Sequence, residues 1–294
     1  MKTALHSVSY AGVWGQTYLP LEKVVDKAAE LGYQGIMLMV KRPHASLLDL
    51  DEIRRKRLKE KLDTAGVEVA CIAGYNDFSG GWETPDVPFR EMQVYTISEW
   101  ARLASYLGSD LVRIFTAFDR EHLGYDQQWR WCVDCIKECC KRASEYSVNI
   151  GVQNHHDIAS DYQSLFDLIS EVDEPNCKAM FDAWSPALHG ADLVAAVKKM
   201  VPHIAFTTVA DYVRRPRFKY HPRLVNYTPQ PDAIRAVPMG TGCINYKSFF
   251  GALKESAFDG WVAYEMCSPL EGGGSEENLD RCAKQFQQWM KENV

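Results

Sequence analysis

Residues 148–159 read VNIGVQNHHDIA, and the fold turns on the change of character inside them. The first five residues are largely apolar and β-branched, as in a strand covered on both faces. The chain then gives Gln153, Asn154, His155, His156 and Asp157 without a break. A polar loop could account for this, and so could a strand whose end opens into an active site. The rest of the sequence decides between them.

Seven further short runs share the apolar form: ALHSVSY, GIMLMV, VEVACIA, DLVRIFT, CKAMFD, HIAFTTVA and GWVAYE. Amphipathic stretches separate them, among them LEKVVDKAAELG, DEIRRKRLKEKLDTAG and DQQWRWCVDCIKECCKRASEYS. Gly32, Gly66 and Gly108 stand where a helix would end in the left-handed conformation. Eight strands alternating with eight helices predict a single (β/α)8 TIM barrel spanning residues 1–294. A doubly wound open sheet is the competing architecture, but no G-x-G-x-x-G follows the first strand and no phosphate-binding G-x-x-x-x-G-K-[ST] occurs. No low-complexity linker divides the chain.

A barrel also explains the opening stretch, because this fold gathers its chemistry at the C-terminal ends of its strands. The residues predicted there are His6, Lys41, Arg42, His44, Tyr75, Asn76, Asp77, Arg113, Gln153 to His156, Asp182, Asp211 and Glu265. So many His, Asp, Glu and Arg side chains favour a polar small-molecule site. Arg113 interrupts an apolar strand, so it either recognises an anionic or hydroxyl group of a substrate or forms a structural ion pair. Trp184, Trp14 and Tyr75 are candidates for an aromatic wall against a sugar face, with plain packing as the alternative. His6 is either a site residue or a satisfied core histidine.

Composition narrows the function classes. The 294 residues are 46% hydrophobic, enough for a large core, and the net charge of −6 with a pI near 5.8 opposes a nucleic-acid footprint. No apolar run approaches the roughly 20 residues of a membrane span, and the N-terminus does not read as a signal peptide. Nine cysteines without framework spacing fit a reducing, cytoplasmic setting. Cys132, Cys135, Cys139 and Cys140 fall on one helical stripe and read as inward packing residues, not as a zinc site. The segment at about 211–240 is long, basic and proline-punctuated for a βα loop. It is expected to serve as a lid or a partner surface, with Arg214, Arg217, Lys219 and His221 closing on substrate or contacting a second subunit, whether in a homo-oligomer or as a hetero-subunit.

The stretches GVQNHHD, FDAWSPALHGAD, VADYVRR, VPMGTGCINY and GWVAYE, in this order and at barrel spacing, resemble the xylose-isomerase-like TIM barrels. These include sugar isomerases, epimerases of the tagatose 3-epimerase type and inosose dehydratases. The resemblance implies one divalent metal ion held by Glu, Asp, His and Glu at the ends of strands five to eight. Asp182 and Glu265 match two of those positions, whereas Gln153 stands for the first Glu and Thr208 for the His. Neutral oxygen donors shift the expected ion toward Mn²⁺ or Mg²⁺ and away from Co²⁺ or Zn²⁺. Three arrangements are compatible with the sequence: a metal on Asp182, Glu265, Gln153 and waters; a metal completed by His155, His156 or His221; or acid–base chemistry without metal.

By the same resemblance, the substrate is a small carbohydrate and the reaction removes a proton beside a carbonyl. An amide cannot accept that proton, so Gln153 is excluded as a base and Glu265 remains, with His155 and His156 as general acids near their natural pKa. Tyr75, His44, Trp184, Asp211, His221 and Arg113 are the expected substrate contacts. Isomerase- or epimerase-like chemistry is the first expectation. Elimination of a β-leaving group from a keto-sugar, keto-glycoside or inosose is the second, and a non-catalytic or accessory sugar-binding subunit is the third. A DNA-repair endonuclease is opposed by the acidic charge balance and the sparse His and Glu ligands.

Overall fold

A computed structural model of the chain describes residues 1–266 and 269–294. The elements run β1 (Lys2–His6), α1 (Leu21–Glu30), β2 (Gly35–Met39), α2 (Glu52–Ala65), β3 (Glu68–Ala73), α3 (Phe89–Leu107) and β4 (Leu111–Ile114). There follow α4 (Tyr125–Ser144), β5 (Asn149–Gln153), α5 (Tyr162–Val172), β6 (Cys177–Met180), α6 (Trp184–Leu188), α7 (Leu193–Met200) and β7 (Ile204–Val209). The chain ends with β8 (Asp211–His221), β9 (Asn226–Val237), α8 (Tyr246–Glu255), β10 (Trp261–Tyr264) and α9 (Glu276–Asn293).

Among the described residues, the strands close in the order β1-β10-β7-β6-β5-β4-β3-β2, all neighbours parallel, with helices between them. This is the predicted (β/α)8 barrel. Local chemistry sets the helix ends. Asp51, Asp161, Asp192, Asn245 and Ser275 each accept a backbone N–H of the first turn that follows them. Such a cap typically contributes about 1 kcal/mol. Gly66 and Gly108 close α2 and α3 at φ of 66° and 82°, where a side chain would be strained.

Period-two alternation then decides what faces the barrel axis. Leu5, Val112, Ile150, Val152, Val262 and Tyr264 point outward into the layer shared with the helices. Ala4, Met37, Cys71, Leu111, Met180, Phe206 and Ala263 point inward and fill the lower barrel. Continuing the same alternation toward the C-terminal ends brings His6, Tyr75, Arg113, Gln153, Asp182, Thr208 and Glu265 to the inner face above that floor. Cys132, Cys135, Cys139 and Cys140 are buried along α4, as the stripe predicted.

Two local expectations are corrected. The first strand was read through ALHSVSY, but it stops at His6, whose ring accepts the amide of Val8 and starts a 3-10 turn over Ser7–Tyr10. The segment read as a long loop at about 211–240 is instead a two-stranded antiparallel hairpin of β8 and β9. Its prolines obscured it. Pro216 has no N–H to give, and the pairing register shifts between Arg215 and Arg217. No helix among the described residues is long and apolar enough to cross a membrane.

Candidate active site

Strand alternation delivers two chemically unlike groups of side chains to the mouth. The first is centred on Asp182, which follows β6 and is fully buried. Its Oδ1 accepts the Thr208 amide at 2.6 Å, and its Oδ2 accepts Gln153 Nε2 at 2.5 Å and Trp184 Nε1 at 3.1 Å. Burial and the charge on Glu265 nevertheless lift its carboxyl from 3.8 to about 7, against the pull of those donors. Glu265, buried just past β10, lies with its Oε2 at 3.8 Å from Nε2 of His6. His6 Nδ1 accepts the Val8 amide at 3.3 Å and lies 3.2 Å from the Met37 carbonyl, and burial drives its pKa well below the ordinary value. His6 is therefore a neutral neighbour of Glu265. The sequence left its role undecided, and the inward alternation of β1 settles its place.

The second group is basic and aromatic. Arg113 is 2% exposed, and its guanidinium carbon lies 4.7 Å from the Tyr75 ring and 4.0 Å from the Phe115 ring. Lys41 sits 3.9 Å above Tyr75. His156 stacks on Phe115 with centroids 4.0 Å apart, and His155 meets Trp184 at 5.1 Å. The two imidazoles share a contact of 2.9 Å between their Nδ1 atoms. Desolvation, then His156 and Arg113, lower His155 to about 3, while desolvation and Arg113 lower His156 to about 4. Both are neutral near pH 7, so the expectation of ordinary imidazole pKa values is corrected. They can donate a ring N–H but do not rest as imidazolium acids. Phe115 was missed by the sequence reading, although its place two residues after Arg113 puts it on the same inward face.

Not all the polar crowd after β5 faces substrate space. Asn154 donates to the Asp182 carbonyl at 2.9 Å and accepts the Asp182 amide at 2.7 Å, stitching the exits of β5 and β6. Asn76 does the same between β3 and β4 through the backbone of Phe115, at 2.8 and 2.9 Å. Asp157 accepts the Asp119 amide, and Asp77 holds Arg120 and the Ser79 amide.

Three expected substrate contacts have other employment. Asp211 spends its carboxylate on the amides of Tyr212, Gly240 and Gly242, which clamps the turn after the hairpin. A Cβ at Gly242 would stand 1.9 Å from Asp211 Oδ1, so VPMGTG requires glycine there. His221 lies at the far end of β8, ten residues beyond Asp211 or about 30 Å along an extended strand, and bonds Thr228. His44 braces the loop after β2 against the Leu19 carbonyl at 3.1 Å.

The residues fit a hard, hydrated cation better than a closed four-ligand site. No group of three or more His, Cys, Asp or Glu side chains converges among the described residues. Three hydrogen bonds occupy Asp182, leaving room on a carboxylate that offers about four lone-pair positions. The charge on Glu265 raises the proton affinity of Asp182, and two buried carboxylates at one mouth also favour a cation between them. An ion that keeps most of its waters needs no more protein donors than these.

A family model described as the xylose isomerase-like TIM barrel matches residues 25–292. The 3-dehydroshikimate dehydratase of Bacillus anthracis is 23% identical over 264 residues, which is 87% of this chain and 88% of that protein. The fructoselysine 3-epimerase of Escherichia coli O157:H7 is 23% identical over 209 residues, 67% of this chain and 74% of that protein. The D-psicose 3-epimerase of Clostridium cellulolyticum H10, solved with D-tagatose, superposes with a TM-score of 0.75 at 15% identity, covering 100% of this chain and 99% of that one. At that identity the likeness is one of fold. The matched span contains the strands that carry Gln153, Asp182 and Glu265, and the chain belongs to the xylose isomerase-like TIM barrel family.

Proposed function

We propose that the protein is a carbohydrate-active enzyme in which Glu265 removes a proton from the carbon beside a carbonyl of a sugar or keto-sugar, in isomerase- or epimerase-like chemistry. The observation that carries the reading is the pairing of Glu265 with neutral His6 above the barrel floor, two strands from the hydrogen-bonded Asp182. His6 cannot neutralise Glu265 by holding a proton, so the carboxylate keeps its capacity to act as a base. Neutral His155 and His156 offer ring N–H groups to substrate oxygens. Asp182, Glu265 and Gln153, the last by turning its amide oxygen inward, would hold a divalent ion, Mn²⁺ or Mg²⁺ by donor hardness. When bound, that ion supplies polarisation of the substrate carbonyl.

A second reading, elimination of a β-leaving group, is favoured by one feature. Position 153 carries an amide that donates to Asp182, so the strand-five exit provides no second base of the kind a two-base epimerisation uses. The dehydratase among the relatives supports the same reading.

The test is proton exchange. Incubating the protein with keto-sugars in deuterated water should add one mass unit to substrate or product. Glu265→Gln should reduce that incorporation by about 10²–10⁴-fold while circular dichroism stays unchanged. Loss of a hydroxyl or glycosidic group in the product identifies elimination. No exchange by the wild-type protein on any sugar, with binding retained, identifies an accessory sugar-binding barrel instead.

A further inference from the structure

Arg113 poses a problem the reaction alone does not solve. A guanidinium cannot discharge itself by losing a proton, and an isolated charge is costly to hold away from water. Yet Arg113 is 2% exposed, and its Nε and one terminal nitrogen have no hydrogen-bond partner. None of the ion pairs among the described residues includes it. Both carboxylates of the mouth are turned to other partners, Asp182 to Gln153, Trp184 and Thr208, and Glu265 toward His6. The ring faces of Tyr75 and Phe115 lie against the guanidinium, and Lys41 adds a second cation over Tyr75.

The position is built for this side chain. Arg113 pairs in register with two small residues, Ala73 on β3 and Gly151 on β5. Leu111, two residues earlier on the same face, belongs to the apolar floor. An ordinary barrel position would continue that floor with another aliphatic residue. A buried guanidinium against aromatic rings, with two nitrogens unbonded and no ion pair among the described residues, has the chemistry that recognises an anion.

We propose that the substrate is an anion whose carboxylate or phosphoryl group binds Arg113, with Lys41 beside it. This rests on the reading of the mouth as a sugar site and narrows its substrates to sugar acids or sugar phosphates and their keto derivatives. A charge-assisted pair in a desolvated setting raises affinity by about 10–100-fold over a neutral hydroxyl in the same place.

The experiment measures binding rather than turnover. D-Fructuronate, D-fructose 6-phosphate and D-fructose are titrated by calorimetry into wild-type protein, Arg113→Met and Arg113→Lys. At least one anion should bind wild type ten-fold or more tightly than fructose. That advantage should vanish in Arg113→Met and partly return in Arg113→Lys, and whichever anion leads identifies carboxylate or phosphoryl recognition. Arg113→Met should also melt about 2–4 °C higher than wild type without ligand, because it removes an uncompensated charge; a structural ion pair would give the opposite shift. Equal binding of fructose and both anions, an anion preference that survives in Arg113→Met, or no anion binding at millimolar concentration overturns the proposal. If Glu265→Gln proves fully active while the anion preference still depends on Arg113, the proton-transfer reading fails and this one stands.

Discussion

At Asp182 both carboxylate oxygens are met by donors, a backbone amide, a side-chain amide and an indole. At Arg113, two strands away at the same mouth, two nitrogens meet none. Both side chains are buried, and both arrive on the inward positions of barrel strands. The difference lies in what their neighbours can do. Gln153, Thr208 and Trp184 bring N–H groups, whereas Tyr75 and Phe115 bring ring faces that attract a cation without accepting its hydrogen bonds. Asp182 finds its hydrogen-bond donors within the chain, whereas two nitrogens of Arg113 find no acceptor there. A buried polar group answered internally contributes to the fold, and one left unanswered marks where a ligand enters.

Gln153→Glu should give the largest effect, since it places a carboxylate at the point from which an amide now donates to Asp182 at 2.5 Å. Without metal, at pH 8, the variant should be less stable by about 3–5 kcal/mol, the cost of a buried uncompensated charge. The loss should shrink toward pH 5, where the two carboxylates can share one proton. Mn²⁺ should restore stability and bind more tightly than to wild type. Denaturant unfolding with and without chelator measures both. A variant as stable as wild type in chelator at pH 8 would show that the Asp182 side is not saturated in the way described.

The next effect is a pH dependence. Asp182 is raised from 3.8 to about 7 by burial and by Glu265, so the folded chain holds this proton more tightly than the unfolded chain does. Its contribution therefore favours folding below about pH 4 and is lost progressively as pH rises to about 7. His155 and His156 act in the opposite direction. Their lowered values of about 3 and 4 favour folding above the ordinary imidazole value of 6.5, and that contribution is lost as pH falls. The comparison of wild type with Asp182→Asn in chelator isolates the carboxylate. Wild type should lose ground to the variant by on the order of 2–4 kcal/mol between pH 4 and pH 7.5. A constant difference across that range would mean that Asp182 keeps an ordinary carboxyl.

Asn154→Ala and Asn76→Ala form a matched pair of smaller effects. Each removes two hydrogen bonds between adjacent strand exits and should cost about 1–3 kcal/mol by thermal or denaturant unfolding. Their consequences for turnover should diverge. Asn154 fixes the backbone of Asp182, so its loss should lower kcat more than the loss of Asn76, which fixes the backbone of Phe115. Equal effects on kcat would indicate that Asp182 needs no such positioning.

How much of this was legible beforehand depended on whether one strand or several were required. Alternation along single strands placed Arg113, Asp182 and Glu265 on the mouth, and the closed parallel barrel followed from the succession of apolar runs. Partnership was not legible. The sequence of Asp211 looks like that of any strand-exit carboxylate, and only the folded turn shows Gly240 and Gly242 donating to it. The hairpin was hidden because its prolines and charges are read as breakers, although exposed two-stranded pairing tolerates both. The ordinary pKa values expected for His155 and His156 failed for the same reason, since their displacement comes from burial and from Arg113 on another strand.

Lys41 gives the smallest expected effect and the sharpest control on the Arg113 side. Its ammonium lies 3.9 Å from the Tyr75 ring, and burial followed by the charge on Arg113 lowers its pKa. Unlike Arg113 it is only partly buried, so water answers what the protein does not. Lys41→Met removes cation–π contacts to Tyr75 and, more distantly, Trp14, worth roughly 0.5–1 kcal/mol, and the relief of repulsion from Arg113 acts in the opposite direction. The two should nearly cancel, leaving stability within about 0.5 kcal/mol of wild type. Arg113→Met should instead raise the melting temperature, because no ion pair among the described residues balances that charge. Thermal unfolding of the two variants side by side checks the distinction. If Lys41→Met stabilises as much as Arg113→Met, the strain belongs to the pair of cations, and Arg113 is no longer singled out as the unanswered group.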